Sequence, residues 1–249
     1  GSLQLTSNSF GGALTSANNN IYAIDGSVNT VAVFDANTHI KKAQVAVPSG
    51  SSDIIALNNK VFVTSYASSV VTVINTNTNT IEAFIQTPVQ SHPIRLAVGA
   101  STKRTGSKVY VAYDGLNTIS VIDPTTNTIT NSITLTPGFS PTQMYDVGSK
   151  MYVLGYGSNK LASIDTKTNT VSYVQLQGPA QALVANGSKL YITNSSGSTV
   201  SVLDINTDNF ITSVYVGNSP WALATIGTRV YVTLYNTGKV AIIDTNTNT

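Results

Sequence analysis

Residues 75–80 read NTNTNT, and residues 244–249 read DTNTNT. Such an alternation could be a low-complexity segment, a flat threonine array that binds ice or mineral, or one part of a repeated structural unit. The choice between these interpretations decides the fold, because self-similarity at a fixed period predicts a repeat architecture.

Two patterns recur in a fixed order along the chain. The first is an apolar strand with an aromatic residue in it, as in VYVAY at 109–113. The second is an alternating strand that ends in Asp or Asn, as in ISVID at 119–123. It ends at six positions, separated by 40, 48, 42, 39 and 40 residues: Asp35, Asn75, Asp123, Asp165, Asp204 and Asp244. The aromatic residues have the same spacing, so the sequence predicts six repeats.

Each quoted stretch begins at the last residue of the second pattern. The third residue after each of these acids or amides is Thr, and the fourth is Asn, Asp or His, the non-glycine types most enriched at positive φ. An Asp or Asn that opens a turn can bond the backbone two residues on. NTNTNT therefore predicts a hairpin between two strands, whereas a binding array would need all its threonines on one flat face. The predicted left-handed residues are His39, Asn79, Asn127, Asn169, Asp208 and Asn248.

Each repeat reads as four short strands, because Val, Ile, Thr and Tyr dominate and no helical period is present. Six such units predict one all-β domain over residues 1–249, a six-bladed β-propeller of four-stranded antiparallel blades. The long spacing places an insertion near residues 99–107. The last repeat lacks a fourth strand, and we expect residues 2–6 to supply it and close the ring.

Composition narrows the possible functions. Charged residues make up 10% of the chain, the formal net charge is +2 and no basic stripe is visible, which argues against a nucleic-acid partner. No apolar run is long enough for membrane insertion by this chain. Cysteine is absent, so disulfides and thiolate metal sites are excluded. A surface rich in hydroxyl and amide groups favours an extracellular or cell-surface location, where Asn186 and Asn194 would be glycosylation sites.

The repeats resemble the YVTN β-propeller family. Residues 190–210, LYITNSSGSTVSVLDINTDNF, and residues 109–129, VYVAYDGLNTISVIDPTTNTI, carry the resemblance most clearly. It covers essentially the whole chain. It implies a propeller of the cell surface or envelope, such as a surface-layer protein, but it does not transfer a ligand site, because many members have seven blades.

Candidate binding residues gather where propellers usually meet ligands, in the loops that enter the first strand and those that join the second and third strands. Aromatic side chains flanked by charges and amides suit carbohydrate or peptide recognition. The alternative is that the aromatic residues merely cap loops. An ion pair between Asp53 and Arg95 is expected, because they occupy equivalent positions in adjacent repeats. The candidates are Trp221, Arg95, Asp53, Gln143, Gln181, Tyr66, Tyr113, Asp114, Tyr156, Tyr235 and His92.

Catalysis has little support in the sequence. The chain has two histidines, and one of them, His39, is explained by a turn. We therefore predict no catalytic residues, no metal site and no cofactor. The leading hypothesis is a non-catalytic recognition or assembly module whose partner is a protein or carbohydrate. A purely structural subunit that contacts copies of itself is the alternative, and a metal-dependent lyase or hydrolase is a third hypothesis.

Overall fold

The computed structural model describes residue 5 and residues 11–99 and 107–249. These form 23 strands and one short 3₁₀ helix, Tyr66–Ser68. No helix in this part of the chain is long and apolar enough to span a membrane. The chain divides into two compact units, Gly1–Ser140 and Pro141–Thr249.

The first unit contains three antiparallel sheets of four strands, each in chain order. Sheet 1 contains β1 (Gly11–Ala17), β2 (Asn20–Asp25), β3 (Thr30–Asp35) and β4 (Lys41–Ala46). Sheet 2 contains β5 (Ser51–Leu57), β6 (Lys60–Ser65), β7 (Val70–Asn75) and β8 (Thr80–Gln86). Sheet 3 contains β9 (Pro93–Gly99), β10 (Lys108–Tyr113), β11 (Thr118–Asp123) and β12 (Thr128–Thr134).

The second unit also contains three sheets, and the last of them has three strands. Sheet 4 contains β13 (Pro141–Asp146), β14 (Lys150–Gly155), β15 (Lys160–Asp165) and β16 (Val171–Gln175). Sheet 5 contains β17 (Ala180–Asn186), β18 (Lys189–Asn194), β19 (Thr199–Asp204) and β20 (Phe210–Tyr215). Sheet 6 contains β21 (Pro220–Ile226), β22 (Arg229–Leu234) and β23 (Lys239–Asp244).

The expectation of a closed ring of four-stranded blades is wrong. The six sheets are separate, and sheet 6 has three strands among the described residues. Of the proposed closing segment 2–6, Leu5 belongs to no strand, and the other four residues lie outside the described part. The alternation in SLQLT signals extended backbone, but a short alternating segment does not specify which edge it pairs with. Residues 100–106, within the predicted insertion, also lie outside the described residues, between β9 and β10.

The hydrophobic core lies between successive sheets within each unit. The middle strands are buried on both faces because their residues alternate between two cores. One face of sheet 1, with Tyr22 and Val33, packs on Val61 and Val63 of sheet 2. The same relation joins sheet 2 to sheet 3, sheet 4 to sheet 5 and sheet 5 to sheet 6. Fourth strands are half-exposed and alternate, as β8 shows.

The predicted turn is present in every repeat, and in sheets 1 to 5 it joins two paired strands. The six residues proposed to be left-handed have φ between 55° and 61°. In the quoted stretch, the Asn75 side-chain oxygen accepts a hydrogen bond from the backbone N–H of Asn77, at 2.9 Å. The Asn75 carbonyl accepts another from the N–H of Asn79, at 2.8 Å. The Asn–Thr alternation is therefore turn chemistry.

Replacing Asn79 by glycine should cost about 1 kcal/mol, although glycine suits its φ of 55°. The cost arises because glycine removes a tertiary contact, in which the Asn79 side chain accepts a hydrogen bond from the hydroxyl of Tyr22 at 2.7 Å. His39 is the matched control, since it is exposed, has a φ of 61° and lies in the equivalent turn. We expect His39→Gly to be neutral or mildly stabilising in urea denaturation. Equal effects of the two changes would contradict this account.

Candidate functional site

Two aromatic clusters contain many of the predicted binding residues, one in each unit. The first aromatic cluster consists of Tyr66, His92 and Asp114. The second aromatic cluster consists of Trp221 and Tyr235. Each lies where a first strand begins and a second strand ends, which is the loop region that the sequence indicated.

The first aromatic cluster is held together by stacking and hydrogen bonds. The Tyr66 and His92 rings are stacked, with centroids 4.4 Å apart and planes 9° apart. The Tyr66 hydroxyl donates to Oδ2 of Asp114 at 3.2 Å, and this bond to an anionic acceptor raises the pKa of Tyr66 above its ordinary value. The backbone N–H of Asp114 donates to the carbonyl of His92 at 2.9 Å. The structure therefore brings together three of the eleven predicted binding residues.

Backbone geometry places these side chains. Tyr66 begins the short 3₁₀ helix that follows β6, and Ser69, with a φ of 50°, caps the C-terminal end of this helix. His92 also has positive φ, 48°, in the residue before β9 begins. Non-glycine residues in this region carry strain that the surrounding contacts must offset.

The Asp53 carboxylate binds backbone N–H groups instead of forming the expected ion pair with Arg95. Its Oδ1 accepts the N–H of Ile54 at 2.9 Å, and its Oδ2 accepts the N–H of Leu96 at 2.8 Å, which ties β5 to β9. Burial raises the pKa of Asp53 above its ordinary value, while these two bonds and the charge of Arg95 act in the opposite direction. Arg95 donates to the carbonyl of Ile94 at 2.9 Å. Among the described residues, Asp53 and Arg95 form no hydrogen bond or direct ion pair.

Tyr113 is not a surface residue, which corrects the prediction that it lines the binding face. Its side chain is 0% exposed in the core between sheets 2 and 3, and burial raises the pKa of its hydroxyl to about 12. The reason is that Tyr113 is the last residue of β10, a middle strand buried on both faces, whereas Asp114 is the first residue of the loop. The equivalent residues Ser65 and Asn194 are also buried. An alignment of the repeats on their aromatic residues places Tyr113 at the same strand end as these two, which was the available signal for its burial.

The second aromatic cluster is exposed. The rings of Trp221 and Tyr235 lie 5.3 Å apart and are tilted by 34°. Trp221 is 44% exposed and Tyr235 72% exposed. The backbone N–H of Tyr235 donates to the carbonyl of Ser219 at 3.0 Å, which fixes the loop after β22 beside the start of β21. Asn236 donates to the Ser219 hydroxyl at 2.6 Å, so an amide and a hydroxyl lie near the rings.

The other predicted residues of the second unit are more scattered. Tyr156 is 79% exposed in the loop after β14. Gln181 is exposed on β17 and Gln143 is half-buried on β13. No hydrogen bond or ring contact among the described residues joins these three side chains to Trp221 or Tyr235. Whether a ligand bridges them stays a prediction.

The two sequons differ in environment. Asn194 is 3% exposed, and its amide donates to the hydroxyl of Thr199 at 2.7 Å. Glycosylation of Asn194 in the folded protein would therefore require this region to open. Asn186 is half-buried at the end of β17, and its amide donates to the carbonyl of Gly227 at 2.8 Å.

In the described part of the chain, no group of three or more His, Asp or Glu side chains could hold a metal ion.

Sequence reasoning missed a set of basic residues at the start of second strands. Lys60, Lys150 and Lys189 each donate to the turn of the following sheet. A basic residue two positions before the aromatic residue, present in five of the six repeats, was the available signal.

Comparison with known proteins establishes the fold. No protein-family model matches this chain, and no curated protein matches it. A computationally designed protein, Ika8, is similar over 97% of this chain and 73% of its own, with 16% identity and a TM-score of 0.78. Virginiamycin B lyase from Staphylococcus aureus is similar over 98% of this chain and 84% of its own, with 13% identity and a TM-score of 0.79. BBS1N, crystallised with ARL6DN, is similar over 93% of this chain and 78% of its own, with 15% identity and a TM-score of 0.72. At these identities the likeness shows the fold alone, and the chain has a β-propeller fold.

Proposed function

We propose that this chain is a non-catalytic recognition module of the extracellular space or cell surface, related to the YVTN propellers. Its ligand is a carbohydrate that stacks on the second aromatic cluster. The exposed pair of Trp221 and Tyr235 is the observation that carries the proposal. Trp and Tyr combine a large apolar ring with a polar group, and they are enriched at recognition surfaces.

The chemistry of the second aromatic cluster suits a sugar. The face of an aromatic ring carries partial negative charge, which attracts the C–H groups on the apolar face of a pyranose. The two ring centroids lie 5.3 Å apart with planes tilted by 34°, so the rings form one aromatic surface. The amide of Asn236 and the hydroxyl of Ser219 offer hydrogen bonds at its margin. Orientation by a few polar groups beside an apolar surface is the usual design of a small-ligand site.

The proposed extracellular or cell-surface location of the protein is supported by the composition of its surface. Only 10% of the residues are charged, and the turns and fourth strands present Ser, Thr, Asn and Gln to solvent. Such a surface keeps its hydration when pH and ionic strength change, because neutral hydroxyl and amide groups do not titrate. This property suits a protein outside the cell, and it agrees with what the resemblance to envelope propellers implies.

Trp221→Ala should weaken carbohydrate binding by at least about tenfold, roughly 1.4 kcal/mol or more. Trp221 is the only tryptophan, so the intrinsic fluorescence of the wild type reports occupancy of this cluster directly. A panel of oligosaccharides from cell-surface polysaccharides is titrated while emission is recorded, and calorimetry measures binding by the variant, which lacks the fluorophore. Tyr235→Ala should weaken binding in the same direction.

Tyr215→Ala is the matched control, because Tyr215 is 76% exposed on β20 of the same unit. Its affinity should equal that of the wild type. Emission that no oligosaccharide shifts would refute carbohydrate recognition. Loss of binding in the control to the same extent as in Trp221→Ala would show that the site lies elsewhere.

A further inference from the structure

Two hydroxyl groups in the core between sheets 1 and 2 have no hydrogen-bond partner among the described residues. They belong to Ser65, the last residue of β6, and to Thr72 of β7, and both residues are 0% exposed. Burial of a hydroxyl without a partner is unfavourable. Buried hydroxyls in folded proteins therefore bind either a protein group or an ordered water molecule.

The two side chains point into the same core. Successive residues of a strand alternate between its faces, so Ser65 shares a face with Val63, and Thr72 shares a face with Ile74. Val63 and Ile74 both belong to the core between sheets 1 and 2. Thr72 pairs with Val63 across the strands, and Ser65 is two positions further along β6. Ser65 and Thr72 are therefore diagonal neighbours on adjacent strands.

Sheet 5 shows how a longer side chain joins the same two positions. Asn194 is the last residue of β18, and Ser201 pairs with Ile192, two positions before it. The Asn194 amide donates to the Ser201 hydroxyl at 3.2 Å, and both side chains are buried. Serine has fewer side-chain atoms than asparagine, which explains why the Ser65 hydroxyl does not reach Thr72.

The side chains around Ser65 are also smaller than those around Asn194. The core that contains Ser65 includes three residues of sheet 1 and the loop after it, Ile24, Val31 and Val47. Their equivalents in the core between sheets 4 and 5 are Leu154, Leu161 and Leu176. Two valines replace two leucines and serine replaces asparagine, while Thr72 is only one atom larger than Ser201. The difference leaves room for a water molecule, which takes up about 30 Å³.

We propose that one water molecule binds between sheets 1 and 2 and bridges the hydroxyls of Ser65 and Thr72. A hydroxyl donates one hydrogen bond and accepts up to two, so a water about 2.8 Å from each oxygen gives both of them a partner. The water takes the part that the amide of Asn194 has in sheet 5. Its site lies inside one unit and uses no residue of either aromatic cluster, so it is independent of the proposed ligand site.

The bridge joins two strands next to the first aromatic cluster. Ser65 is followed directly by Tyr66, which begins the 3₁₀ helix between β6 and β7. A water held by Ser65 and Thr72 ties together the strands that flank this helix. Internal waters of this kind are part of the folded structure, and their removal is costly.

A crystal structure of the wild type at a resolution that shows ordered water tests the site directly. We expect one water within hydrogen-bonding distance of both the Ser65 and the Thr72 oxygen. Gly155 and Ala162 occupy the equivalent positions of sheet 4 and provide an internal control, because they offer no polar side chain and should hold no water. In the variant Ser65→Asn, the new amide should bond Thr72 directly and displace the water.

The variant Thr72→Val tests the bridge in solution, because the sign of its effect on stability depends on the water. Valine has nearly the shape of threonine but no hydroxyl. With the water bound, the change removes one of its two partners, and the urea midpoint should fall by about 0.3 M, the effect of one lost hydrogen bond. Without the water, the same change would remove an unsatisfied buried hydroxyl and raise the midpoint. Thr134→Val is the matched control at an exposed strand position, and its midpoint should equal that of the wild type.

Three results would overturn the proposal. The first is a crystal structure in which the hydroxyls of Ser65 and Thr72 bond each other or a backbone carbonyl, with no water between them. The second is a Thr72→Val midpoint that equals or exceeds that of the wild type. The third is a Ser65→Asn structure that retains the water in its original position.

Discussion

Replacing Phe62 by alanine should lower the free energy of unfolding by about 3–5 kcal/mol. The Phe62 side chain is 0% exposed and packs with Val73, Val109 and Val111 between sheets 2 and 3. Alanine removes most of a ring from the centre of this core, and the two sheets cannot collapse into the cavity without breaking their own strand pairing. Urea denaturation followed by circular dichroism measures the change. A loss below about 1 kcal/mol would show that this core is loosely packed.

Two further changes separate packing from other effects. Phe84→Ala removes the same ring from an exposed position on the same sheet, 52% exposed, and should change stability by no more than about 0.5 kcal/mol. Phe62→Tyr should be tolerated within about 1 kcal/mol. Tyrosine occupies this position in the other five repeats, and Asn127 of the following turn is equivalent to Asn79 and Asn248, which accept a tyrosine hydroxyl.

Replacing Asp208 by alanine should cost about 3–4 kcal/mol, the second largest effect. Its carboxylate accepts hydrogen bonds from Tyr152 at 2.5 Å and from Ser163 at 2.9 Å, and it pairs with Lys150 at 2.9 Å. The side chains of Asp208 and Lys150 are 18% and 22% exposed, so water does not replace the lost partner fully. Burial, together with the bond to Asp208, raises the pKa of Tyr152 above its ordinary value, which keeps its hydroxyl a donor.

The control for this prediction is Asp208→Asn. Asparagine occupies the equivalent position in four other repeats and tolerates the φ of 60° found at Asp208. It retains an acceptor for the Tyr152 hydroxyl but loses the charge that pairs with Lys150. We expect a cost of about 1–2 kcal/mol, clearly less than that of alanine. If alanine and asparagine were equally destabilising, the charge would carry the whole effect, and the hydrogen bond from Tyr152 would contribute nothing.

Some of the residues that the sequence proposed for a binding site lie close together in the structure. Trp221 and Tyr235 were both placed in the loops at one end of the strands, and the structure brings their rings to 5.3 Å. Tyr66, His92 and Asp114, which belong to the same predicted set, contact one another. Their position along the repeat was sufficient to place these residues at one end of the strands, because equivalent positions of a repeat lie at the same end of each sheet.

The partners of Asp53 could not be predicted in the same way. A charge beside an opposite charge suggests an ion pair, but backbone N–H groups compete for a carboxylate and are invisible in a side-chain alignment. The N–H of Leu96 reaches Asp53 because β9 runs beside β5, and the two residues are 43 positions apart. Direct contact with Arg95 was therefore the wrong inference, although its charge still influences Asp53.

The sequence by itself determined the repeat, the strands and the turns, because each depends on local preferences. Alternation specifies a strand, and a short polar side chain stabilises a left-handed turn residue, as Asn79 does at a φ of 55°. Only the tertiary structure decided how repeats meet. The alternation in residues 2–6 was compatible with closure, yet the described part of sheet 6 has three strands and an exposed Val240. Pairing between distant segments depends on the energy of whole faces and edges, which a local pattern does not contain.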